Sequence, residues 1–145
     1  MKKPLAIISI FLFGFQILSV AQAKKQPQAK PPQPKLIRCH LPTDTDNSSK
    51  VSLQDALAWA DSLPLKVVDE KGKVYQLHNF VFTIITMNPF QTKEYGTGND
   101  GIPLLARKAM NNLKPKDTVF LKEVTAHNDK LQELPLANIV FSIKE

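Results

Sequence analysis

Four residues could hold a transition metal by type, and their spacing speaks against it. His40 follows Cys39 directly, while His78 and His127 each stand alone. None has a second histidine or a carboxylate at the spacing of a zinc-binding helix, and no H-E-x-x-H occurs. A protein metal site ordinarily takes three or four ligands. The three histidines therefore read as ordinary surface or loop residues. A calcium loop is the next candidate. Asp44, Asp46 and Ser48 alternate in "DTDNSS", and Asp55 falls at the twelfth place. Ser49 stands where that loop needs glycine, and the twelfth place lacks the longer glutamate. Ser52 has a better use as a helix cap, so this stretch reads as a capped polar loop.

Nucleophilic and phosphate chemistry fare no better. There is no G-x-S-x-G. Cys39 has no base placed beside it and no helix start to lower its pKa. As the only cysteine it cannot form a disulfide within the chain. A buried thiol and an intermolecular disulfide are both open to it. It follows "LIR", without the small residue that precedes an acylated cysteine. "GTGNDG" is glycine-rich ahead of a helix but lacks the lysine of a P-loop, and reads as a flexible loop. Asn47 opens a glycosylation sequon that matters only in a eukaryotic host. Trp59 lies near the edge of a helical apolar face, where packing is its ordinary use. The longest polar stretch, residues 88–101, could carry a small-ligand or hydrolytic site built from Glu94, Tyr95 and Asp100. No catalytic, cofactor-binding or metal-binding residue is identified, and the chain reads as non-enzymatic.

The segments that must position any site come in three parts. Met1, Lys2 and Lys3 precede the apolar run Leu5–Val20, and "AQA" ends at Ala23. That pattern predicts a secretory signal peptide over 1–23, cleaved after Ala23. The apolar run is 16 residues, short of the roughly 18 to 20 of a spanning helix, so no stable membrane insertion is expected after cleavage. Residues 24–38, rich in proline and lysine, predict an extended tether. Residues 39–145 form the folded domain. The whole chain carries +6, but from His40 onward 12 Lys plus Arg face 13 Asp plus Glu, a net of −1. The basicity belongs to leader and tether, so no nucleic-acid surface is expected on the domain.

Within the domain, "SLQDALAWADSLP" has helix grammar. Ser52 caps with Asp55 three places later, and Leu53, Ala56, Leu57, Ala60 and Leu63 share one face. "LKVVDEKGKVYQL" predicts a hairpin around Asp69–Gly72. "NFVFTIITM" is apolar on both parities and predicts a central strand. A second helix is expected over 102–113, its stripe Ile102, Leu105, Ala106, Ala109, Met110 and Leu113, with Asp100 at its start and Lys114 at its end. "DTVFLKEV" and "ANIVFSIK" predict strands, the latter with Ile139, Phe141 and Ile143 inward. "HND" predicts a turn and Leu134–Pro135 a short edge. The core is expected to join Phe80, Phe82, Ile84, Phe120, Ile139, Phe141 and Ile143 to the helix face of Leu105, Ala109 and Leu113. The fold class is mainly β, a β-sandwich-like (Ig-like) domain with two short amphipathic helices.

The order of a helix, then L-K-P-x-D-x-V-F-x-x-x-V from Leu113 to Val124, a turn, Leu134–Pro135 and I-x-F-x-I from Ile139 to Ile143 resembles the C-terminal domain of the gliding-motility protein GldM. That family belongs to Bacteroidetes and the type IX secretion machinery. The likeness covers roughly half of the chain. It departs at Lys116, where the family commonly has glycine, and at "HND" in place of a glycine-rich turn. The resemblance implies a β-sandwich-like module, a periplasmic or secreted location and no enzymatic activity. It makes envelope or periplasmic proteins the expected partners, gliding or type IX secretion components among them, with a second copy of the chain as a further candidate. A regulatory or sensor-associated module is the remaining alternative.

Overall fold

A computed structural model describes residues 35–145. The signal segment, 1–23, and the tether up to residue 34 lie outside the described residues. The elements run β1 (Cys39–His40), β2 (Lys50–Val51), α1 (Leu53–Asp61), β3 (Lys66–Asp69), β4 (Val74–Met87), β5 (Phe90–Asn99), α2 (Leu104–Met110), β6 (Thr118–His127), β7 (Glu133–Pro135) and β8 (Ile139–Ile143). Ile37, near the end of the expected tether, already bridges Leu136. Among the described residues, no helix is long and apolar enough to cross a membrane.

The fold is mainly β, as expected. Its two walls are parts of one eight-stranded sheet, ordered β1-β3-β4-β6-β8-β2, with β5 also beside β4 and β7 beside β6. The two long strands serve both walls. The first part of β4 pairs with β3 at residues 74–76, and its second part with β5 at 79–87. β6 likewise pairs with β8 at 118–121 and with β7 at 125–127. Between these zones the β4–β6 ladder slips around Asn79, and Glu123 takes φ +52. Bulges of this kind bend a strand and raise its twist, which lets one sheet turn a corner and face itself.

The inner side of the curl holds the core. Phe80, Phe82 and Ile84 of β4 meet Val119 and Leu121 of β6 and Ile139, Phe141 and Ile143 of β8. The expected strand parity of β8 is the one observed. Phe120 departs from expectation: Val119 and Leu121 point in, and Phe120 is half-buried on the other face. In the run Val119–Phe120–Leu121 every residue is apolar, so alternation alone cannot fix which face is inside.

The helices close the inner side. Ser52 Oγ accepts from Asp55 N–H at 3.0 Å, the expected cap. Ala56, Trp59 and Ala60 are buried, whereas Leu63 is 76% exposed beyond the helix end. Trp59 donates its Nε1–H to Lys66 O at 2.8 Å and sets its ring edge-on to Phe141, centroids 5.9 Å apart. α2 is shorter than expected. Pro103 stands at its N-cap, and Ala106, Met110 and Leu113 are buried while Leu105 is 68% exposed. The buried positions 106, 110 and 113 follow the i, i+4, i+7 spacing, so the inward face is centred one residue past Leu105. Asp100 lies outside the helix and binds His78 instead, and Lys114 lies past its end.

Most of residues 88–101 form a strand, Phe90–Asn99, where a loop was expected. The hairpin of β4 and β5 pairs Met87 with Phe90 and runs to Asn79 with Asn99. Its composition is polar because β5 residues from Phe90 to Glu94 are all exposed, so no in-out pattern marks the strand. Gly98 is fixed by packing: a Cβ there would collide with the Phe80 ring and the Gly101 carbonyl. The turn before β6 is tied by Asp117, only 4% exposed. Its carboxylate accepts from Met87 N–H at 2.9 Å and Lys114 N–H at 2.8 Å, and its carbonyl accepts from Ile143 N–H at 2.9 Å.

Candidate interaction surface

Paired residues on neighbouring strands share a face, so the register maps both faces of the wall β5-β4-β6-β8. The inner rows are Ile84–Val119–Phe141 and Phe82–Leu121–Ile139, all buried. The outer rows are Glu94–Thr83–Phe120–Val140 and Thr92–Ile85–Thr118–Ser142, flanked by Met87–Phe90 at the hairpin tip and by Thr97–Val81–Lys122. Both helices belong to the inner side. On the outer side Phe90 is 71% exposed, Met87 50% and Val140 40%, and Val81, Ile85 and Phe120 are half-buried. Lys122 and Glu94 form an ion pair at 3.0 Å on this face. Exposed apolar residues gathered on one face beside charged ones are a usual mark of a surface that meets another molecule. At its centre Thr83 is 3% exposed and its Oγ1 has no hydrogen-bond partner.

The surface offers main-chain groups as well. Among the described residues β5 has one strand neighbour, β4. Its other edge presents unpaired N–H and C=O groups, a template for an added strand. Lys93 Nζ lies 5.1 Å from the centre of the Tyr95 ring.

The residues singled out in the sequence do not gather into a reactive centre. Glu94 is held by Lys122, Tyr95 lies half-buried beside Lys93, and Asp100 binds His78 Nδ1 at 3.0 Å. Gly96, Gly98 and Gly101 have the G-x-G-x-x-G spacing. They sit on an antiparallel edge strand and its exit, whereas a phosphate-binding fingerprint needs a parallel strand turning into a helix. Asp44 is 2% exposed, and its carboxylate accepts from the N–H groups of Ser48 and Ser49 at 3.1 and 2.9 Å. Its oxygens serve the loop backbone, as a capped polar loop requires. Cys39 is half-buried in β1 opposite Asp69. Burial, helped by the Asp69 charge, pushes its thiol up to about 12, so the thiolate is scarce at neutral pH.

A groove of about 920 Å³ runs from Lys35–Arg38 to the β3–β4 turn and Ala137. Arg38 and Lys71 on its walls oppose Asp69 and Glu70. Asp69 is committed to the turn: N–H groups of Lys73 and Lys71 hold its carboxyl below the usual range. Tyr75, 4% exposed, donates to it at 3.3 Å, and burial followed by the Asp69 charge raises the phenol.

Sequence reasoning missed one meeting. His78 and His127, 49 positions apart in the chain, bring their rings to 4.4 Å between centroids. No local motif signals it, because strand pairing alone makes the contact. Among the described residues, no three His, Cys, Asp or Glu side chains are grouped as a metal-binding set. Comparison with protein-family models gives no match to this chain, and comparison with curated proteins gives none either.

Proposed function

We propose that the chain is an exported, non-enzymatic protein–protein interaction module of the bacterial cell envelope, acting periplasmically or after secretion beside gliding or type IX secretion components. The outer face of the β5-β4-β6-β8 wall carries this reading: it is apolar at Phe90, Met87, Val140 and Phe120, and β5 adds a free edge. The GldM likeness has one supporting detail. Lys116, where that family commonly has glycine, has φ +75, a conformation that glycine adopts without strain.

The test places a photo-crosslinking side chain at Phe90, at Val140 or at Leu131 in the living host. Leu131 is 79% exposed on the β6–β7 turn, away from the outer face. The expected result is one envelope protein captured from Phe90 and Val140 and not from Leu131. Capture that does not depend on the position overturns the reading, as does a chain retained in the cytoplasm. Glu94 and Asp100 bind different partners on different parts of the hairpin, so no observation favours the small-ligand alternative.

A further inference from the structure

We propose that His78 and His127 form a two-histidine binding site for a divalent transition cation of the zinc, nickel and copper class. The site is independent of the interaction face, since it lies at the other end of β4 and β6. Neutral imidazole is a ligand of choice for these ions. Metal–nitrogen bonds of about 2.0–2.1 Å, with each ring centre roughly 1.1 Å further out, put the centres of two cis imidazoles about 4.5 to 5 Å apart. The observed centroids are 4.4 Å apart with the planes tilted by 36°, close to that separation.

Asp100 prepares the ligand. Its Oδ1 stands 3.0 Å from His78 Nδ1. A carboxylate there only accepts, so Nδ1 carries the proton and the Nε2 lone pair is left free when the ring is neutral. Asp100 is itself anchored, its N–H donating to His78 O at 2.8 Å. A carboxylate holding the second nitrogen is the usual support of a metal-binding histidine. His78 remains accessible, with 34% of its side chain exposed.

The surroundings fit a cation. Glu133 is the register partner of His127 on β7, so its carboxylate leaves the sheet on the same face. Asn79 and Thr125 are paired beside His78, and their shielded Oδ1 and Oγ1 have no hydrogen-bond partner in the protein. One positive charge shares the row: Lys66 pairs with Gln76, which pairs with His127. It stands two strands from His127, roughly 9 to 10 Å at the usual strand spacing. With two protein ligands, water completes the coordination and binding is reversible.

The deciding experiment titrates Zn²⁺ into the purified full chain and follows the histidine ring resonances by NMR, with calorimetry for stoichiometry. One ion per chain is expected, with His78 and His127 shifting together and His40 unmoved. His78→Gln or His127→Gln should abolish saturable binding, His40→Gln should leave it unchanged, and Asp100→Asn should weaken it by about tenfold. Thermal melts report whether each variant folds. If the histidine variants unfold, the wild-type ring shifts decide alone. Absence of saturable binding, retention of binding in both histidine variants, or a shift confined to His40 overturns the proposal.

Discussion

In β4, β6 and β8 the inner and outer faces of the β5-β4-β6-β8 wall are built by alternate residues of the same strands. The inner face is covered by α1 and α2 and closes around Phe82, Leu121 and Phe141, each 0 or 1% exposed. The outer face carries residues of similar type, Phe120, Ile85, Val140 and Phe90, and leaves several of them open to water. Identical chemistry therefore has two uses, set only by parity. Burial on the inner face stabilises the fold, while the unburied area of the outer face remains available for association. Past the bulges the same strands show a third use, since the outward residues Gln76, His78, Thr125 and His127 are polar or titratable.

The sharpest way to break this comparison is Phe141→Ala. The side chain is 1% exposed and abuts Trp59. Truncation leaves a cavity and should cost about 3 to 5 kcal/mol, a large share of the roughly 5 to 15 kcal/mol of a domain. Its neighbour Ser142 faces outward, and Ser142→Ala should change stability by less than about 0.5 kcal/mol. Thermal or urea melts of the pair check both. Equal losses would mean that the assigned faces of β8 are wrong.

Phe120→Ala sharpens the contrast. Because Phe120 is half-buried on the outer face, its truncation should cost about 1 to 2 kcal/mol, between the surface and core ranges. It should also reduce crosslinking from Phe90 by far more than that destabilisation explains. Melts and crosslinking yields on the same variant separate the two effects. A stability loss equal to that of Phe141→Ala would place Phe120 in the core after all.

What could be read in advance follows from the same parity argument. β8 was legible because Ile139–Val140–Phe141–Ser142–Ile143 contains a serine that fixes the outward parity. The cap of α1 was legible because Ser52 and Asp55 make a local motif that needs no tertiary partner. The face of Phe120 was not, because Val119 and Leu121 flank it and any of the three could point in. β5 was not, because a strand open on both faces gains nothing from apolar alternation, and Gln91 to Glu94 look like loop residues. His78 and His127 meet through pairing across a bulge, which no spacing rule encodes.

The one expected gain in stability concerns the corner that leads into β6. Lys116 sits at φ +75 just before β6, a left-handed conformation that costs a non-glycine residue roughly 1 to 2 kcal/mol. Its side chain gives little in return. The ion pair with Glu145 spans 3.7 Å between side chains 75 and 81% exposed, and such pairs contribute little. The backbone bonds of the turn, Lys116 N–H to Ile143 O at 2.9 Å and Asp117 N–H to Lys114 O at 3.0 Å, do not need the lysine side chain. Glycine also gains freedom in the unfolded chain, which offsets about 0.5 to 1 kcal/mol of the relief. Lys116→Gly should therefore stabilise the domain by about 0.5 to 1 kcal/mol, whereas Lys116→Ala, which keeps the Cβ, should not. Parallel melts of the two variants decide: a Lys116→Gly protein no more stable than Lys116→Ala would show that the corner is not strained and would remove this detail from the support for the GldM likeness.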